Sequence, residues 1–278
     1  MLLAGTITGC STSKFAAVAM VPVLDNARDA AMASNDVRTF RDGAAANIFL
    51  IEGLIRTAPD DRDLRINASM LYFSYAFTFT EDSDQAYASL LYQKGFEHGK
   101  AAVTINRRLL RDWNVPHADF VASLDKLKKK DVPAAVWAAV NWAQFVSLHL
   151  DSTAVLRDIP KVTSLLERLA ELDGDYFEGI TYSMIGSLHS FRPPMMGGSP
   201  EKSLENFEKA FAVNDSFLLA RYLFARFYLY RIQDGAAFEE TLSRLIESEI
   251  ADDDPYQLLN IIAKQKSFLL LGEIDELF

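Results

Sequence analysis

Cysteine is nearly absent from this chain: Cys10 is the only one in 278 residues, so no disulfide can form within it. Histidine is scarce too. His98, His117, His149 and His189 are the full set. None lies four residues from another and none belongs to a His-Glu-x-x-His pair, which removes the helical zinc motif. There is no phosphate-cradling glycine loop, no dinucleotide fingerprint and no Gly-x-Ser-x-Gly elbow, and Gly197-Gly198 reads as a turn. Asp252-Asp253-Asp254 lacks the spaced ligands of a calcium loop and reads as the acidic approach to a helix. A muramidase-like hydrolase would need two carboxylates across a cleft, and no such pair stands out. The chain is therefore expected to have no catalytic residue, no cofactor and no metal.

Positive charge is in deficit. Lys and Arg total 28 against 38 Asp and Glu, a formal net charge of −10, and a phosphate-binding surface needs clustered cations. The one dense basic run, Lys126 to Lys130, reads as a helix end complementing the helix dipole. Nucleic acid is thus not an expected partner. No apolar run reaches the roughly 18 residues of a membrane span. Strand signals are also few, with no Asn-Gly or Asp-Gly turn between alternating apolar runs. What remains is apolar bulk: 50% of the residues are hydrophobic and 12% aromatic, enough to bury a substantial core.

The start of the chain carries one signal. Ile7-Thr8-Gly9-Cys10 resembles a bacterial lipobox, in which an aliphatic and two small residues precede a cysteine that is acylated and becomes the mature N-terminus. The nine residues before Cys10 contain no Lys or Arg, so residues 1–14 read as a truncated signal peptide, lipobox and tether. Ser11, rather than Asp, favours the outer over the inner membrane. The expectation is a protein lipid-anchored at Cys10, with residues 15–278 as a single helical-repeat domain.

Helix periodicity is dense. It predicts helices over 15–32, 44–57, 61–79, 83–111, 116–129, 133–150, 160–172, 177–190, 200–213, 216–231, 235–249 and 255–271. Several starts share a device: Asn114-Val115-Pro116, Asp131-Val132-Pro133, Asp158-Ile159-Pro160, Ser199-Pro200 and Asp254-Pro255. Proline suits a first turn, and the polar residue can accept an orphan N–H. The segment 133–150 is apolar nearly all round, which predicts burial on several sides. Ser203-x3-Phe207-x2-Ala210 matches the second helix of a tetratricopeptide repeat, and Ala170-Glu-Leu-Asp173 resembles the end of such a helix one unit earlier. The 40-residue separation of Ala170 and Ala210 exceeds the usual 34, and the surplus fits the long turn Phe191 to Gly198. The expected fold is all-α, a tetratricopeptide-like helix-hairpin array or α-solenoid, with an irregular helical array as the alternative.

Taken together, Leu50 to Pro59, Tyr72-Phe-Ser-Tyr-Ala-Phe77, Tyr92-Gln-Lys-Gly95, Asp131-Val-Pro133 with Trp137 and Trp142, Arg168 to Asp173, Pro193 to Gly198, Leu258-Leu-Asn260 and the closing Leu269 to Phe278 resemble the TatT family. These are the T-components of tripartite ATP-independent periplasmic (TRAP) transporters. The resemblance covers nearly the whole chain after the leader. It implies a periplasmic, lipid-anchored accessory protein rather than an enzyme. It also implies a homotrimer with a channel through each subunit, association with the substrate-binding P protein, and hydrophobic ligands. The rival is a tetratricopeptide scaffold lipoprotein for envelope assembly, without a ligand channel.

Candidate ligand residues follow from the aromatics. Tyr72, Tyr75 and Phe79 form a stripe at helical spacing, which is either core packing or the wall of an apolar pocket. Trp113, Trp137 and Trp142 carry the same two readings, and Asn141 is a candidate polar contact. Pro193, Pro194, Met195, Met196, Gly197 and Gly198 form a loop whose adjacent methionines are candidates for a ligand or partner.

Overall fold

The computed structural model describes residues 12–105, 110, 112–192, 194 and 197–278 and is all-α, with no strand among those residues. Its helices are α1 (Thr12–Ala19), α2 (Val21–Met32), α3 (Val37–Thr57), α4 (Arg62–Tyr75), α5 (Gln85–Ile105), α6 (His117–Leu124), α7 (Val132–Ser147), α8 (Thr153–Leu156), α9 (Ile159–Asp173), α10 (Tyr176–Phe191), α11 (Pro200–Val213), α12 (Leu218–Leu223), α13 (Tyr230–Ile232), α14 (Gly235–Glu247), α15 (Gln257–Gly272) and α16 (Ile274–Leu277). Consecutive long helices fold back on one another: α3 on α4, α4 on α5, α9 on α10, α10 on α11, and α14 on α15. Short connections leave neighbouring helices little choice but this hairpin packing.

The apolar segment 133–150 behaves as its composition dictates. Thirteen residues of α7 are buried, and the helix lies against α4, α5, α9 and α10 at once. Close approach of α5 depends on glycine. A Cβ at Gly99 would stand 2.6 Å from the Ala138 nitrogen, so only hydrogen fits there. The repeat-like motif also packs as its pattern requires. Ser203, Phe207 and Ala210 are buried on α11, and the Ser203 hydroxyl donates to the Gly186 carbonyl of α10 at 2.8 Å.

Several boundaries differ from the sequence expectation. The predicted helix 15–32 is two helices, broken at Met20 ahead of Pro22 in the first turn of α2. The predicted helix 44–57 begins seven residues earlier, at Val37, because the Asp36 carboxylate accepts the Thr39 N–H at 2.9 Å. Not all Asx-Pro devices cap. Ser199 accepts the Lys202 N–H, but Asp131 and Asp158 sit in helical backbone conformation and make no side-chain cap. A capping side chain needs the extended backbone of a true N-cap to reach the N2 or N3 donor. Asp131 instead accepts from the Lys128 N–H, and Asp158 from the Trp142 indole.

Two segments widen from α to π geometry: Ala76–Thr80 at the end of α4 and Phe224–Leu229 between α12 and α13. Such segments often mark functional positions. A third irregularity opens α10, where Phe177, Glu178 and Gly179 have φ of 48°, 54° and 71°. Left-handed backbone at two non-glycine residues is strained, by roughly 1–3 kcal/mol each. It puts the Phe177 ring 4.8 Å from Trp137 and 5.2 Å from Tyr256. The array does not run on as an open rod, because α15 returns to contact α2 and α3.

Candidate functional site

The seven aromatic and polar candidates occupy five places. Trp113 and Trp142 lie together, ring centroids 5.6 Å apart, with Phe96 and Phe120 filling the space between α5, α6 and α7. Trp137 is buried deeper, against Phe73 and Phe177, and its indole N–H donates to the Tyr176 hydroxyl at 3.2 Å. Asn141, fully buried, ties α7 to α4: its Nδ2 donates to the Ser69 carbonyl at 3.0 Å. Its Oδ1 has no hydrogen-bond partner among the described residues and faces Gly95, where a Cβ would stand 2.2 Å away.

Tyr72 points away from Tyr75 and Phe79 into a polar chain. Its hydroxyl donates to Glu52 at 2.8 Å, and its ring stacks on His98. Arg65 can only donate, so the His98 Nδ1 that it meets at 3.2 Å accepts, and Nε2 carries the proton toward Glu52 at 3.0 Å. Burial, helped by Arg65 and Lys94, lowers the His98 pKa and favours this neutral ring. Burial alone would raise the Glu52 carboxyl, but hydrogen bonds from Tyr72 and His98 outweigh it and hold the pKa below the ordinary value.

Tyr75 and Phe79 pack edge to face, and Phe79 meets Phe40 of α3. Phe40 is one wall of a cavity of about 100 Å³ between α2, α3 and α4. Its other walls include Leu24, Ala31, Met32, Ile51, Met70 and Leu71, with Arg28, Asn47, Asn67 and Ser74 as the polar part. Arg28 and Asn67 are already committed to each other and to Asp25, at 3.0–3.1 Å. The exposed chemistry of the cavity is thus mainly apolar. A space of this order admits a small organic molecule, since dry apolar cavities of roughly 150 Å³ take up benzene. None of the seven candidates lines it, although Phe40 links it to the Tyr75–Phe79 pair. The face of α4 that turns to the cavity carries Met70, Leu71 and Ser74 instead.

A second feature was not legible in the sequence. Glu81, 2% exposed on its side chain, ends the first π segment and accepts from Tyr92, from Arg226 of the second π segment and from Gln144. Beside it, Lys266 of α15 pairs with Asp82 and lies 4.5 Å above the Phe77 ring. Burial raises the Tyr92 hydroxyl, with Glu81 adding to it, and pushes Tyr222 up to about 12. Burial lowers Lys266, while Asp82 and Glu81 oppose that shift. The two pairs join residues 145 and 184 positions apart and fasten the first half of the array to the last.

In the loop, Pro194 and Gly197 form a turn through the Gly197 N–H and Pro194 carbonyl at 3.0 Å. Gly198 follows directly. Pro193, Met195, Met196 and the lipidation candidate Cys10 lie outside the described residues. Among the described residues no helix is long and apolar enough to cross a membrane.

Comparison with known proteins adds one match. A family model described as TAtT, TRAP transporter T-component, covers residues 33–278. No curated protein matches.

Proposed function

The chain belongs to the TRAP transporter T-component family, and from that premise we propose that it is a periplasmic accessory protein of a TRAP transporter. In this reading it binds the substrate-binding P protein, and it holds a small, mainly apolar organic ligand without transforming it. Cys10 carries the lipid that tethers it, with the outer membrane favoured by Ser11, and residues 15–278 work as a single helical-repeat domain within a homotrimer. The observation that carries the ligand proposal is the cavity between α2, α3 and α4. Its Leu, Met, Ile and Phe walls offer burial at roughly 25 cal/mol per Å² of apolar ligand surface. Its polar groups are few, and Arg28 and Asn67 among them already bond to each other and to Asp25, so selection is mainly by shape and apolar surface.

The partner is tested by pull-down of the tagged, lipidated protein from native membrane extract, with mass spectrometry of what co-purifies. A periplasmic solute-binding protein is expected. Outer-membrane assembly factors in its place would favour the scaffold alternative. The cavity is tested separately with benzene and methyl NMR. Saturable shifts at Met32 and Met70 are expected in the wild type and lost in Ala31→Phe, which fills the space. Equal shifts in both proteins would remove the cavity from the reading.

A further inference from the structure

Ten consecutive apolar residues, Phe15 to Leu24, run from α1 through the turn at Met20 into α2. No charge interrupts them; Lys14 and Asp25 stand at the two ends. A run of this composition is ordinarily core. Here only Ala17 is buried, in the small cluster it shares with Ile51, Leu54 and Ile55 of α3. Val21 and Leu24 are half-buried, and the other seven residues are exposed. Phe15 is 79% exposed and Val23 53%. Helix geometry accounts for Phe15, which lies roughly 160° around α1 from Ala17 and so points away from the cluster. Leu50, 46% exposed, extends the group. It sits one turn before Leu54, on the side of α3 that α1 packs against. Apolar residues exposed singly are ordinary, but a continuous group of them marks a surface that something covers.

The position of the group in the chain selects what covers it. In the lipid-anchored reading Cys10 is the first residue of the mature chain, so only Cys10 and Ser11 precede α1. Two residues reach at most about 7 Å, roughly the thickness of one headgroup layer of a bilayer. A lipid on Cys10 therefore brings the start of α1 to the bilayer surface. Entry into the interface leaves few backbone groups unsatisfied. The helices bond internally, and the turn is closed by the Met20 N–H on the Ala17 carbonyl at 3.2 Å and the Leu24 N–H on the Met20 carbonyl at 3.0 Å. Pro22 has no N–H to satisfy. Charge decides the lipid class. The run offers no cation to anionic headgroups, and the chain's net charge is −10, so the attraction is apolar.

We propose that the α1–α2 edge, with Leu50 of α3, is a membrane-docking face. It lies in the interface of a net-neutral phospholipid bilayer, with Phe15, Val18, Met20 and Val23 among the headgroups. The acyl groups on Cys10 hold the protein to the membrane, and the face fixes its orientation, so that the domain does not swing freely on its tether. The proposal rests on the lipid-anchor reading and is independent of the apolar cavity and of the P protein.

The test uses the mature lipidated chain on vesicles of phosphatidylcholine and phosphatidylethanolamine. Acylation consumes the thiol of the chain's one cysteine, so a cysteine introduced elsewhere is the only free one and takes a nitroxide label. Phe15→Cys, Val23→Cys and Leu50→Cys are compared with Glu239→Cys, an exposed site on α14, whose neighbours are α12 and α15. Relaxation of the label by oxygen, which enters the bilayer, and by a water-soluble nickel chelate, which does not, gives its depth. The oxygen-to-nickel ratio is expected to rise several-fold on vesicles at the first three sites and to stay unchanged at Glu239→Cys. Phe15→Asp with Val23→Asp, both exposed changes, should return the label at position 50 to its aqueous ratio while the protein stays on the vesicles. Aqueous ratios at all sites in acylated protein overturn the proposal. So does spin–spin broadening between labels at position 15 or 23, which would mean that a second copy covers the face. Mass spectrometry of the N-terminal peptide tests the tether separately. If Cys10 carries no acyl group the anchor reading fails, and the same labels are then measured in Cys10→Ser at high lipid concentration. The same depth pattern would support the face, and an aqueous one would overturn it.

Discussion

Arg226 and Arg192 both sit in the second half of the chain and both are drawn out of solvent, yet they face different surroundings. Arg226 meets Glu81, which also takes bonds from Tyr92 and Gln144, and the neighbouring Lys266 meets Asp82. Arg192 meets a carbonyl and a neutral imidazole. The first group is matched charge for charge within the fold; Arg192 makes no ion pair among the described residues, and Glu167 acts on it only at longer range. A matched buried pair serves the fold itself, because removing either partner strands the other.

The largest expected effect is on the matched pair. Arg226→Met or Glu81→Gln should cost about 3–5 kcal/mol of stability, read from the urea midpoint. A loss under about 1 kcal/mol for both would mean that the two halves are not held there, and the comparison would fail. Next comes acid sensitivity at His189. Its folded pKa, about 4, lies below the ordinary 6.5. Between these values the unfolded chain binds a proton that the native ring refuses, so stability is intact above pH 6.5 and falls as the pH drops toward 4. The term is on the order of 2–3 kcal/mol, and His189→Gln should flatten the stability–pH slope across that window.

The second ion pair sharpens the contrast. Lys266 is 4% exposed and Asp82 45%, so the two removals are not equivalent. Asp82→Asn strands a buried ammonium and should cost about 1–3 kcal/mol, whereas Lys266→Met leaves a half-solvated carboxylate and should cost less. Equal losses would show that exposure does not govern the pair. Smallest of all, Arg192→Met should shift stability by no more than about 1 kcal/mol in either direction, since it loses the bonds to the Leu188 carbonyl and His189 while relieving the burial of a charge. A loss comparable to that of Arg226→Met would erase the distinction between the two arginines.

Much of the architecture was readable residue by residue. The all-round apolarity of 133–150 foretold the burial of α7, and Ser203, Phe207 and Ala210 foretold the face that α11 turns to α10. α3 begins seven residues before its apolar periodicity does, at the Asp36 cap, and Gly43 with its polar neighbours looks like a turn although it lies inside the helix. Asp131 and Asp158 have the correct composition for caps, but composition does not report backbone conformation, and theirs is helical. The site was less legible. The stripe at Tyr72, Tyr75 and Phe79 marks an aromatic-rich helix, yet Tyr72 turns to Glu52 and His98, while Met70, Leu71 and Ser74 of the same helix line the cavity.

Helix content, hairpin order and family membership were contained in the sequence itself, because each rests on patterns repeated within a few turns of chain: apolar periodicity, proline in first turns, small residues opposite aromatic ones. Which buried charges would be neutralised was decided by tertiary structure alone. Glu81 and Arg226 are 145 positions apart, and no local pattern marks either as the other's partner. Only when the two π segments are brought together does the buried Glu81 acquire its arginine, while Arg192, at the end of α10, makes no ion pair among the described residues.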